Sequence, residues 1–275
     1  MRSGTIERVD DEAPRLPGDL ERIASLFDLR GRTALVTGAA GGIGRAIALG
    51  LAHFGADVAV ADIDLGGVES TARTARELGR RATAIRVDVT DWSSVEAMAG
   101  EAAAGLGRID IAFNVPGINI RKPALDLAPD EFRRIVDVNL IGVFHCAKAV
   151  GALMVRQGAG RMINVASIHG HVGGEGQGGY AASKHGVIGL TQVLALEWAP
   201  YNVRVNALSP GHVHTNLVVP LVADRDTYQR LLSRYPVGRF AEPWEIVGPA
   251  LFLASDASTF VTGTSLLVDG GRTAG

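Results

Sequence analysis

A glycine-rich turn set between an apolar run and a helical run constrains this chain more than any other stretch. Thr33-Ala34-Leu35-Val36 reads as a buried strand, Thr37-Gly38-Ala39-Ala40-Gly41-Gly42-Ile43-Gly44 as the turn, and Arg45 to Ala52, by its Ile and Leu spacing, as a helix. Glycines at 38, 42 and 44 let the backbone turn tightly, approach a ligand without an intervening Cβ, and pack the new helix on its strand. The helix start aims unpaired N–H groups and the positive end of its dipole forward, which suits a pyrophosphate. A chance triplet is expected among 35 glycines, so it is the flanking strand and helix that make this a dinucleotide-binding turn.

After the turn, strand and helix alternate. Val58 to Ala61 is a short strand ending at Asp62, residues 67–78 a polar-faced helix, and Ala84 to Val87 a strand ending at Asp88. Ser93 and Glu96 have capping-box spacing for a helix to about Gly105, and Ile109 to Phe113 is a strand ending at Asn114. A long helix follows from Pro129, an N1 proline, to about Arg156; then come strand 161–165, helix 179–198, strand 203–208, helix 243–254 and strand 265–268. Apolar strands separated by helices predict an α/β chain: a single-domain Rossmann fold, with a doubly wound parallel sheet of about seven strands and helices on both faces. Ligands bind such sheets at the carboxyl ends of the strands, where Asp62, Asp88, Asn114, Ser167 and Pro210 fall.

The charge balance excludes several partners. Lys+Arg 27 against Asp+Glu 29, without a basic run, argues against nucleic acid, and the contiguous apolar runs are strand-sized rather than membrane-sized. The single cysteine, Cys146, sits in an apolar helical run and reads as a small buried hydrophobe; a reducing, cytoplasmic setting fits. The histidines show no ligand spacing, so no metal site is expected. Residues 1–28 read as an N-terminal arm: residues 1–18 mix Glu7, Asp10, Asp11 and Glu12 with Pro14 and Pro17, and Asp19 caps a short helix near 19–27. The stripe Leu20, Ile23, Leu26 and Phe27 needs a surface, its own domain or a neighbouring subunit. Residues 29–275 form the domain.

Asp62 ends the second strand, where a carboxylate can accept both hydroxyls of an adenosine ribose and repel a 2′-phosphate. NAD is therefore expected over NADP. Gly41 stands where an arginine could, Ile63 follows the aspartate, and Arg45 is the residual candidate cation. Further on, Tyr180-Ala181-Ala182-Ser183-Lys184 puts a phenol and an ammonium four residues apart on one helix face. A free tyrosine ionises near pH 10; a nearby ammonium and a positive nicotinamide favour the phenolate, which can take a proton from an alcohol as hydride leaves. Ser167, after the fifth strand, can hydrogen-bond the same oxygen.

These motifs together resemble the short-chain dehydrogenase/reductase family over residues 29–271. The turn from Thr37 to Gly44 resembles its TGxxxGxG, Asp88-Val89 its adenine contact, Asn139 in Val138-Asn139-Leu140 its helix-embedded asparagine, Ser167 and Tyr180 with Lys184 its catalytic serine and YxxxK, and Pro210-Gly211 with Thr215 its nicotinamide-side loop. The resemblance implies Tyr180 as acid/base, Ser167 as orienting group, Lys184 as the residue that lowers the tyrosine pKa and holds the ribose, and Asn139 as anchor of a water in a proton relay. It implies a cofactor site of Gly38, Gly41, Gly42, Ile43, Gly44, Asp62, Ile63, Asp88, Val89, Asn114, Gly117, Tyr180, Lys184, Pro210, Gly211, Val213 and Thr215. One stretch departs: Asn114-Val115-Pro116-Gly117 replaces Asn-Asn-Ala-Gly, which predicts a reorganised central wall with chemistry retained. The helices at 129–156 and 179–199 resemble the family's dimer-forming pair, and Val268-Asp269-Gly270-Gly271 its tetramer contact, implying a homotetramer.

Substrate specificity falls to the loops Ile118 to Lys122, Ile168 to Gly179 and His212 to about Tyr235. They carry His169, His171, His212 and His214 with Asn119, Arg121, Lys122, Glu175 and Gln177; Asn119, Arg121, His169, Glu175, Gln177 and His212 are the candidate contacts. Polar loops favour a hydroxylated or anionic substrate over a steroid or acyl chain. Arg121-Lys122-Pro123, Ala181 with Ser183-Lys184-His185-Gly186, and Glu197-Trp198-Ala199-Pro200-Tyr201 resemble the branch of gluconate 5-dehydrogenases and 2-dehydro-3-deoxy-gluconate 5-dehydrogenases, implying a sugar acid or polyol. The alternatives are a 3-oxoacyl-thioester reductase, a broad-range ketone reductase, and, from another class, a non-catalytic dinucleotide-sensing regulator.

Overall fold

Apolar residues on successive positions of each strand require cover on both sides, and the chain supplies it. The computed structural model describes residues 20, 22, 23, 25–219 and 223–275; the expectations for residues 1–18 and the Asp19 cap lie outside them. Seven parallel strands lie in the order β3-β2-β1-β4-β5-β6-β7: β1 Thr33–Thr37, β2 Asp57–Asp62, β3 Ala82–Arg86, β4 Ile111–Asn114, β5 Gly160–Val165, β6 Val203–Pro210 and β7 Ser265–Val268. Alternate side chains feed two cores. Ala34, Val36, Val58, Val60, Ile111 and Phe113 face one, Leu35, Ala59, Ala61 and Ala112 the other.

Helices α1 Gly42–His53, α2 Leu65–Glu77 and α7 Val247–Ala254 bury Ile47, Leu51, Val68, Ala72 and Leu253 in the first core. Helices α3 Trp92–Leu106, α4 Pro129–Gln157 and α5 Gly178–Trp198 bury Met98, Cys146, Val150, Met154 and Leu194 in the second. By length and a mean hydropathy of 1.7 α4 could cross a membrane, a property that the contiguous apolar runs understate; here its buried side packs against the sheet. Cys146 is the expected buried hydrophobe, its thiol pushed up to about 12 by burial.

Several local readings are corrected. The cap of α3 is Asp91, whose side chain accepts from Ser93 N–H, because the residue just before the helix can reach its first amides and Ser93, already inside the helix, cannot. Pro129 does open α4, with Glu131 reaching back to the Ala128 N–H at 3.0 Å. Inside α4, Asp137–Ile141 widens to π winding, and α6, Arg225–Leu232, occupies the segment expected as loop. The central wall is not reorganised: β4 pairs in register with β1 and β5 through Asn114, and Val115 N–H still donates to Thr37 O at 3.3 Å. Pro116 falls beyond the last ladder bond, where no donor is required. Of the N-terminal stripe, Leu26 is half-buried and its carbonyl accepts from Asp256 N–H at 3.1 Å, while Leu20, Ile23 and Phe27 are exposed, so the domain covers only part of it.

Candidate active site

The glycine turn is tight because no side chain fits inside it. A Cβ on Gly44 would sit 2.1 Å from Gly38 O, and one on Gly38 would meet Pro116 N and Val115 C at 3.0 Å. Gly38 and Gly42 hold φ of 72° and 53°, open to glycine at no steric cost. Gly41 caps α1 without a side-chain hydrogen bond, and the space where its Cβ would point is open. A Cβ on Gly42 would approach Thr215 Cγ2 at 3.1 Å, which brings the loop after β6 over the turn. A cradle of uncapped amides walled by Thr215 fits a dinucleotide pyrophosphate.

Around this cradle lie the expected strand-end residues. Asp62 accepts from Ala40 N–H at 3.3 Å and from Asp64 N–H at 3.1 Å, so its carboxylate reaches the turn, and Ile63 is exposed beside it. Arg45, the residual candidate for a 2′-phosphate, is instead engaged by α2: its guanidinium donates to Thr71 Oγ1 at 2.8 Å and Thr74 Oγ1 at 3.3 Å. Asp88 Oδ1 receives the N–H and hydroxyl of Thr90, and Val89 packs where a Gly142 side chain would point. Asn114 Nδ2 donates to Asn164 Oδ1 at 2.8 Å, and Asn164 in turn to Thr191. Pro210 ends β6, Gly211 N–H donates to Val268 O at 3.0 Å, and buried Val213 bridges to Ala241.

Tyr180, Ser167 and Lys184 converge on one spot. Ser167 follows β5, its hydroxyl accepting from His169 N–H at 3.2 Å; burial raises the Tyr180 phenol pKa, and the nearby Ser167 hydroxyl opposes that rise. Lys184 is buried, its ammonium donating to Val165 O at 2.8 Å and lying 5.7 Å from the Tyr180 ring centre. Burial pushes the lysine down to about 8. In the unliganded chain burial raises the phenol and the Ser167 hydroxyl opposes it, so the expected lowering by Lys184 belongs to the cofactor-bound state. Asn139 lies in the π segment, fully buried; its Oδ1 accepts from Ile118 N–H at 2.8 Å, and its Nδ2 donates to Ile118 O and to Ser183 Oγ. A Cβ on Gly117 would stand 3.6 Å from Lys184 Nζ and 3.7 Å from Asn139 Oδ1, so these three positions meet.

Beside Tyr180 opens a cavity of about 360 Å³, lined by Arg121, His169, Glu175, His212 and Tyr235 among others. The His169 ring packs edge-on to Tyr180, 6.2 Å between centres, and to His212 at 6.4 Å. His212 stacks on Phe240 and takes the Tyr235 phenol at both its backbone N–H, 2.8 Å, and its Nδ1, 2.5 Å. Both partners are satisfied when the phenol accepts from the amide and donates to Nδ1. Burial holds His212 down to about 4 and His169 below its ordinary value. Of the sequence candidates, Arg121, His169, Glu175 and His212 reach the cavity; Asn119 and Gln177 pair with each other at 2.7 Å and tie two loops together instead. His171 turns away to Ser265 and His214 toward Glu242. Among the described residues no group of three metal-ligating side chains forms.

Sequence reading missed Arg230, Arg234 and Arg272 on this wall, and placed Tyr235 only at the edge of a loop. The first two lie on or just after α6, whose i, i+4 spacing was the available signal; Arg272 comes from beyond β7 and gave none.

Comparison with known proteins places this geometry in context. Residues 38–273 match the family described as Enoyl-(Acyl carrier protein) reductase. The chain is 37% identical over 250 residues to 2-dehydro-3-deoxy-D-gluconate 5-dehydrogenase of Dickeya dadantii, covering 90% of this chain and 98% of that one. It is 42% identical over 250 residues to D-threitol dehydrogenase of Mycolicibacterium smegmatis, covering 90% and 95%. The crystal structure of a gluconate 5-dehydrogenase from Burkholderia cenocepacia, in complex with NADP and tartrate, superposes with a TM-score of 0.89 at 38% identity, over 92% of this chain and 99% of that one.

Proposed function

The chain belongs to the short-chain dehydrogenase/reductase family, oxidoreductases of CH–OH groups, and from that premise we propose that it interconverts a secondary alcohol and a ketone of a sugar acid or polyol, with NAD(H) and with Tyr180 as acid/base. The observation that carries the reading is the convergence of the Tyr180 phenol, the Ser167 hydroxyl and the buried Lys184 ammonium beside an uncapped glycine cradle. The Gly38 to Gly44 turn would hold the pyrophosphate, Asp62 the adenosine ribose, and Lys184 the nicotinamide ribose; the cofactor, when bound, supplies the hydride acceptor or donor.

Ser167 fixes the substrate oxygen against Tyr180. Tyr180 takes the hydroxyl proton during oxidation and returns it during reduction. Asn139 clamps Ile118 and so sets the floor beneath Lys184, where a relay of water would lead the proton outward. The carboxylate of Asp62 and the diversion of Arg45 to α2 support NAD over NADP, although the Burkholderia relative was crystallised with NADP. Half-buried Arg121 in the cavity supports a carboxylate-bearing substrate. Exposed Phe144, Val193 and Leu196 on α4 and α5, and Leu267 on β7, support a homotetramer, and we place it in the cytoplasm.

The test is reduced-nicotinamide absorbance with NAD and then NADP across aldonates, polyols, simple secondary alcohols and a hydroxyacyl thioester. NAD-linked turnover concentrated on aldonates or polyols is expected. Turnover confined to the thioester would instead indicate the 3-oxoacyl-thioester reductase, and binding of NAD without turnover of any of them the sensing regulator.

A further inference from the structure

Four arginines from three distant parts of the chain, Arg121, Arg230, Arg234 and Arg272, line the cavity beside Tyr180. A fifth cation, Lys122, is neutralised by Glu131 at 2.6 Å. Among the described residues none of the four guanidiniums forms an ion pair. The acids on the wall are Glu175 and Asp224, and Asp224 is occupied in capping α6 through Thr227 N–H. Four guanidiniums against two carboxylates leave the cavity with a net charge of about +2. Burial chiefly, then Arg230 and Arg234, hold Arg121 below its ordinary value, with Glu175 opposing. Arg230 and Arg234 are exposed and Arg121 and Arg272 half-buried, so water screens part of this repulsion, and the excess positive charge favours an anionic ligand.

A second observation is independent of the charge. His169 is 7% exposed, and its Nε2 is buried with no hydrogen-bond partner. Its Nδ1 faces Val172 O at 3.3 Å, and a carbonyl oxygen can only accept, so Nδ1 carries the proton and Nε2 is a bare acceptor. Such an atom asks for a hydroxyl donor. Opposite it, His212 has Nδ1 engaged by the Tyr235 phenol, which leaves Nε2–H as a donor on the same wall.

We propose that the substrate is a polyhydroxy acid bearing two anionic groups: the hydroxyl next to the reacting carbon donates to His169 Nε2, and the second anionic group, carboxylate or phosphate ester, is held by Arg230, Arg234 and Arg272. Arg121 holds the first. The inference rests on the sugar-acid reading above and narrows it. The redox balance is unchanged, since hydride leaves the carbinol carbon for the oxidised nicotinamide and the hydroxyl proton passes to Tyr180. A six-carbon acid suits the cavity of about 360 Å³.

The experiment compares kcat/KM of the full chain for a matched series: a neutral hexitol, gluconate, the dicarboxylate glucarate, and 6-phosphogluconate. Glucarate or 6-phosphogluconate is expected to exceed gluconate by about 10-fold or more, and which one does so identifies the second group. Arg230→Gln and Arg272→Gln should each lower the ratio of that compound to gluconate about 10-fold, through KM rather than kcat, and added salt should lower the same ratio. Gluconate or hexitol used as well as glucarate and 6-phosphogluconate, or ratios untouched by the arginine variants, would overturn the proposal while leaving the reading of a sugar acid or polyol in place. Turnover of a hydroxyacyl thioester with none of the four would overturn both.

Discussion

The Lys184 ammonium donates to the main-chain oxygen of Val165 at 2.8 Å, so the lysine is anchored to the end of β5 rather than to the phenol one helical turn before it. The phenol of Tyr180, meanwhile, is raised above the ordinary tyrosine value by burial. A difference titration of tyrosinate absorbance, wild type minus Tyr180→Phe, should therefore place this phenol above pH 10 in the free enzyme and at lower pH with NAD present. A midpoint near neutrality without NAD would contradict this assignment of the charges.

The same anchoring has a stability signature. Lys184 falls from 10.5 to about 8 on folding, so between those values the unfolded chain binds more protons and stability rises with pH. Below pH 8 the folded state bears the full cost of the buried ammonium. Lys184→Met should stabilise the unliganded fold at pH 7 by about 1 kcal/mol or more, net of the lost Val165 hydrogen bond, and the advantage should shrink toward pH 10. Denaturant unfolding at several pH values checks it; an advantage that grows with pH would contradict the sign.

Asp62 lies against the glycine turn through the Ala40 N–H, 22 residues away in sequence. Asp62→Ser removes the charge that would repel a 2′-phosphate, and the NADP-to-NAD ratio of kcat/KM should rise about 10-fold or more. Arg45, held by Thr71 and Thr74, limits the gain because it does not reach the phosphate. An unchanged ratio would remove Asp62 from cofactor choice.

Gly44 stands where a Cβ would collide with backbone, Gly38 O, at 2.1 Å. Backbone cannot step aside as a flexible side chain can, so Gly44→Ala should destabilise the chain by about 1–3 kcal/mol and weaken NAD binding. Thermal unfolding and calorimetric titration measure the two effects. Gly41→Ala, facing open space, is the control and should cost little stability.

The parts of this molecule legible in its sequence are those governed by local rules. The turn from Thr37 to Gly44, the N1 position of Pro129 and the strand ends at Asp62 and Asn114 follow from glycine freedom, proline geometry and apolar runs. The π winding around Asn139 carries no periodic signal, and the contact of that side chain with Ile118 lies in another segment, 21 residues away. Helix α6 was hidden because it buries one residue, Leu231, and is otherwise polar enough to read as loop. The arginine wall was hidden for a different reason: Arg121, Arg230 and Arg272 are brought together by the strand order, not by spacing. Asn119 and Gln177 were read as substrate contacts from polarity alone, which cannot distinguish a side chain facing a ligand from one facing a second loop.

The central claim is that the Tyr180 phenol transfers the proton of the reacting alcohol, and single-turnover oxidation, followed by reduced-nicotinamide absorbance in wild type and Tyr180→Phe, tests it most directly. The substitution removes one oxygen and leaves the ring that packs against His169. The hydride-transfer rate should fall by about 10²- to 10⁴-fold with NAD affinity retained. A variant rate within a factor of about 3 of wild type would contradict the acid/base assignment.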